Sequence, residues 1–93
     1  MNRNDRLAAK AAHIAAENTL LDLATEKPTR VAGALLENPD AFRELNDDTA
    51  RTILMTLIDR GQTEMLRGLL EMKSIGRRKA SMLAELLLRD AFR

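Results

Sequence analysis

One pattern runs through almost the whole 93-residue chain: apolar residues recur at helical spacing, no segment alternates with a period of two, and only a few local breakers interrupt the run. Leu, Ala, Glu, Arg and Met dominate while Val and aromatic residues are scarce, so intrinsic preference favours helix over strand nearly everywhere. The expectation is an all-α fold, a compact bundle of five to six helices. A chain of this length buries only about 60–65% of the surface its unfolded form exposes, which leaves nothing to fill a second core. Residues 1–93 are therefore expected to form a single domain.

The breakers place the helices. A first long helix fits residues 5–26, with Asn4 as N-cap and Leu7, Ala11, Ile14, Leu21 and Ala24 along one stripe. At 1.5 Å per residue it would be about 33 Å long. Its many alanines bury little area each, so its face is covered either by a second copy of the chain or by the rest of this one. Residues 1–38 are accordingly read as a packing or dimerisation segment. Pro28 fits the first turn of a helix that runs to Glu37, and Asn38-Pro39 ends it, because Pro disfavours helical geometry in the residue before it. A short helix from Pro39 to Glu44 follows, then one capped by Asp47 or Asp48 that runs to Asp59. Arg60-Gly61 stops that helix, with Gly61 suited to a left-handed position just past its end. Gln62 or Thr63 opens a helix to Met72, Lys73–Gly76 is a tight connection, and a last helix spans Arg77 to Ala91.

Composition removes several classes of function. Without cysteine there is neither a disulfide scaffold nor a thiolate metal site, and His13 stands alone, so no metal and no cofactor is expected. Apolar runs are far shorter than a membrane span and the N-terminus is polar, so no membrane segment or signal peptide is expected and the compartment is read as cytoplasmic. Catalysis finds no support either. No serine or threonine has a plausible histidine base, the carboxylates fall on solvent faces or helix starts, and the four glycines are singly placed rather than gathered in a phosphate loop.

Charge is unevenly distributed. Residues 1–59 carry seven basic and ten acidic side chains, residues 60–93 eight basic and four acidic, and the positive excess is concentrated between Lys73 and Lys79. Ile75 there is an apolar pin between two helices, and Gly76 opens the next helix, whose first backbone amides have no internal acceptor. Arg77, Arg78 and Lys79 occupy the same first turn, where positive side chains oppose the helix dipole. Three cations in that place call for an anion, and a duplex phosphate is one. The site read from the sequence is Lys73, Ser74, Ile75, Gly76, Arg77, Arg78 and Lys79. The backbone amides of Ile75 to Arg78 would hold one phosphate, and Lys73, Arg77, Arg78 and Lys79 would supply charge.

Met72-Lys73-Ser74-Ile75-Gly76-Arg77-Arg78-Lys79-Ala80 resembles the helix–hairpin–helix family, whose hairpin reads apolar, any, Gly, apolar, Gly, three variable residues with a basic one, then Ala. Met72 and Ile75 match the apolar positions, Gly76 the second Gly, Arg78 the basic residue and Ala80 the small one; Ser74 departs from the first Gly. Shifted by thirty residues, Phe42 to Ala50 lies over Met72 to Ala80, pairing Leu45 with Ile75, Asn46 with Gly76, Ile53 with Leu83 and Leu57 with Leu87. Asn is the best replacement for Gly at a left-handed position, while Asp47 and Asp48 stand where the second copy has Arg77 and Arg78. The resemblance implies a tandem helix–hairpin–helix region over residues 39–91 with a degenerate first copy, gripping double-stranded DNA through its backbone without reading sequence.

Two other readings compete. Ala80, Met82, Leu83, Ala84, Leu86, Leu87, Leu88, Ala91 and Phe92 make residues 80–92 apolar over more than one core requires, so this helix is either buried on several sides or docks a protein partner or a second copy; in the latter case the chain is read as an adapter or inhibitor that binds no nucleic acid. Alternatively residues 77–91 are a recognition helix, but beyond Ser81 they offer almost no Asn, Gln, Ser or Thr for base edges, and after Lys79 their surface is mostly Leu.

Overall fold

A computed structural model describes residues 19–92 of the chain. The described residues contain six α-helical segments and no strand: α1 (residues 19–26), α2 (Pro28–Glu37), α3 (Pro39–Glu44), α4 (Asp47–Asp59), α5 (Thr63–Leu70) and α6 (Gly76–Ala91), with a 3₁₀ turn at Lys73–Ile75 between the last two. The all-α expectation holds. Asn4, His13 and the first stripe residues Leu7, Ala11 and Ile14 lie outside the described part; within α1, Ala24 is fully buried and Leu21 half-buried.

Each break has a local cause. Pro28 and Pro39 occupy the first positions of α2 and α3. Asn38 between them takes φ −136°, ψ 69°, the non-helical geometry that a following proline imposes. α4 ends in a Schellman motif: Gly61 (φ +82°) donates to Ile58 O at 3.0 Å and Gln62 to Leu57 O at 2.9 Å. The start of α4 differs from expectation. Its cap is Asn46, whose Oδ1 accepts from the Asp48 amide at 2.9 Å, rather than either aspartate. α5 stops at Leu70, two residues early, because Met72 turns extended (φ −83°, ψ 118°) to enter the 3₁₀ turn.

The core is built from Phe42, Ile53, Leu54, Leu57, Leu66, Leu69, Ile75 and Leu83, all essentially inaccessible, with Val31, Ala32, Leu35 and Leu86 closing its sides. α2 packs on α5, α4 on α6, and α3 on the 3₁₀ turn. Of the thirty-residue counterparts, Ile53 and Leu83 are both buried, on the packed helices α4 and α6, whereas Phe42, Ala50 and Leu57 are buried with Met72, Ala80 and Leu87 only half-buried, and Leu45 is half-buried with Ile75 buried. The turns themselves are not alike. Asn46 has φ −55°, so it is not in the left-handed conformation that Gly76 adopts at φ +81°, and the expected equivalence of the two positions fails. Its side chain caps α4 instead, which needs an extended backbone.

The methionines divide. Met82 is buried and Met65 and Met72 pack against the core, whereas Met55 is 49% exposed. Among the described residues no buried side-chain nitrogen or oxygen lacks a hydrogen-bond partner.

Candidate nucleic-acid interface

Ile75, 1% exposed, anchors the turn between α5 and α6 in the core. From there the chain reverses through Gly76, whose φ of +81° and ψ of 160° suit glycine almost alone. Ser74 sits within the 3₁₀ turn without a positive φ, so its departure from glycine carries no backbone strain. The stem of Arg43, on α3, closes over the same point: a Cβ at residue 76 would lie 3.4 Å from Arg43 Cδ. Sequence reading missed Arg43 because it reaches the turn from the other hairpin. Its guanidinium pairs with Glu44 at 3.4 Å.

α6 begins with no side-chain cap and no acidic residue in its first turn. The expectation that four amides, Ile75 to Arg78, face a phosphate is corrected by the turn. Ile75 N–H donates to Met72 O at 3.4 Å and Gly76 N–H to Lys73 O, so both are engaged inside it. The amides of Arg77 and Arg78 remain in the first helical turn, where a helix offers no internal acceptor. Lys73 and Arg77 are exposed, and Arg78 is 84% exposed. Lys73, Gly76 and Arg77 line an open groove of about 450 Å³ together with Leu70, Met72, Ala80 and one acid, Glu71.

Lys79 is the exception. Its side chain is 5% exposed and its ammonium donates to Asp47 Oδ1 at 2.8 Å, so it faces the interior and not a phosphate in solvent. The same carboxylate receives Arg78 Nε on Oδ2 at 2.6 Å. Asp47 lies in the first turn of α4, where its charge also suits the helix dipole. Thus the anion that the α6 cations call for is in part internal, supplied by the start of the facing helix. The Lys79 hydrogen bond holds the Asp47 carboxyl below its ordinary value of 3.8, with the charges of Lys79 and Arg78 helping and partial burial opposing.

The far end of α6 has a different character. Met82, Leu83 and Leu86 face the core, whereas Leu88 is 60% and Phe92 82% exposed. Its outward face carries Ser81, Glu85 and Arg89 among Ala84, Leu88 and Ala91, with no Asn or Gln for an adenine edge. Among the described residues no group of three or more His, Cys, Asp or Glu is placed to hold a metal ion, and no helix is long and apolar enough to cross a membrane. No protein-family model, curated protein or solved structure gives a significant match to the chain.

Proposed function

We propose that the chain is a non-enzymatic, cytoplasmic DNA-binding module of helix–hairpin–helix type, which contacts duplex backbone through the side chains of Lys73, Arg77 and Arg78 and the backbone amides of Arg77 and Arg78. The observation that carries the proposal is the uncapped start of α6 at a positive-φ glycine with exposed cations around it. A helix start normally favours acidic side chains, and here the first turn holds none. With Lys79 buried, Lys73 and Arg77 displace counterions, and Arg78 adds to them only in so far as it leaves Asp47. The log–log dependence of affinity on salt is then about −2 to −3, with no dependence on base sequence. The test is fluorescence anisotropy with labelled random-sequence duplexes over a salt series. Lys73→Ala/Arg77→Ala is expected to weaken binding equally for every duplex and to flatten the slope by about two. Unchanged affinity in that variant would end the proposal.

A second reading is favoured by Leu88 and Phe92, whose exposed apolar side chains are unlike a solvated helix end. Leu88 lies about 16 Å along α6 from Arg77, so a protein-docking surface at that end, for a second copy or another protein, is compatible with phosphate contact at the other.

A further inference from the structure

We propose that Asp47 acts as a built-in competitor for the DNA phosphate: it occupies Arg78 in the free protein and surrenders it when the duplex binds. The proposal rests on the phosphate-binding reading above. Asp47 bridges two cations in unequal surroundings. Lys79 is buried, and its bond to Oδ1 ties the start of α6 to the start of α4. Arg78 is 84% exposed, and its bond to Oδ2 lies at the protein surface. Exposed ion pairs exchange readily because water and salt compensate for their loss, whereas a buried ammonium cannot give up its partner so cheaply. The Lys79 contact therefore fixes the carboxylate in place, and the Arg78 contact is the one that exchanges. A phosphate arriving beside Arg77 meets an arginine already neutralised, and binding replaces one anion with another on the same guanidinium.

Asp47 is thus a positioning residue that lowers affinity and salt dependence together. No counterion is released from an arginine whose counterion is a fixed carboxylate. This assigns a role to the acidic start of α4 beyond that of a conventional helix beginning. The pairing also explains how Arg78 and Lys79 are tolerated in the first turn of α6 while no DNA is bound.

The experiment measures binding of a random-sequence duplex over a salt series for the full chain and for Asp47→Asn, each with and without Arg78→Ala. Asp47→Asn is expected to tighten binding about two- to fivefold, the equivalent of a surface ion pair, and to steepen the salt slope by about one. Arg78→Ala alone changes affinity less than it does in the Asp47→Asn background, where it removes the gain. If Asp47→Asn fails to fold because Lys79 loses its partner, Asp47→Asn/Lys79→Met removes the buried charge as well and gives the same readout. Lys73→Ala/Arg77→Ala is measured in parallel. Weakened binding in that variant, with no gain from Asp47→Asn, overturns the competitor role alone. No loss in that variant overturns the phosphate reading and the competitor role with it.

Discussion

Gly76 and Gly61 form a matched pair, since both have φ near +80° and both follow a helix or turn that must end there. Gly76→Ala puts a side chain at φ +81°, ψ 160°, a region that costs a non-glycine residue about 1–3 kcal/mol. It also sets the new Cβ 3.4 Å from the Arg43 stem, which is flexible enough to yield. Gly61→Ala meets nothing within 4 Å, and the left-handed backbone costs about 1–2 kcal/mol. In both variants the stiffer unfolded chain returns about 0.4–1 kcal/mol. The balance is a loss of about 1–2 kcal/mol for Gly76→Ala and about 1 kcal/mol or less for Gly61→Ala. In a domain of this size, that corresponds to Tm shifts of about 4–16 °C and at most about 4–8 °C. With no Trp or Tyr in the chain, far-UV circular dichroism during urea or thermal unfolding is the suitable probe. Equal losses in the two variants would refute the assignment of strain to the α6 start. So would a Gly76→Ala chain as stable as the parent.

Acid sensitivity follows from Asp47. Its carboxyl is depressed in the folded state, so its contribution to stability is fully present above the unfolded value and is lost as pH falls through the folded one. The urea midpoint should accordingly decline below about pH 4, and less steeply for Asp47→Asn; identical acid limbs in the two chains would contradict the pairing. Leu88→Glu and Phe92→Glu, at exposed positions, should change stability by no more than about 0.5 kcal/mol. If the end of α6 docks a second copy, the same changes lower the mass measured in solution, and a concentration-independent monomer in the parent chain removes that occupant.

Backbone-local features were legible before the structure. Pro28, Asn38-Pro39 and Gly61 act within a turn of themselves, and their elements fall where the residues alone put them. The excess apolar character of the last helix was legible as well, and it resolves into a buried face at Met82, Leu83 and Leu86 and an exposed one at Leu88 and Phe92. Two things were hidden. The Lys79–Asp47 bond joins helix starts 32 residues apart, and nothing in either local pattern shows that the two face each other. Asn46 was ambiguous because the same side chain suits a left-handed turn and an N-cap; the Asp48 amide decided for the cap. Consequently the charge excess between Lys73 and Lys79 overstated the cationic surface, since one of its members is buried and another is shared with an acid.

The most direct measurement is an NMR titration of the isotope-labelled chain with a short random-sequence duplex, following every backbone amide. The amides of residues 72–78 are expected to shift first and saturably, Asp47 to shift with them as Arg78 changes partner, and α2, which packs mainly on α5, to stay still. Shifts centred on Met55, Leu88 and Phe92, or none at all, would contradict the phosphate reading.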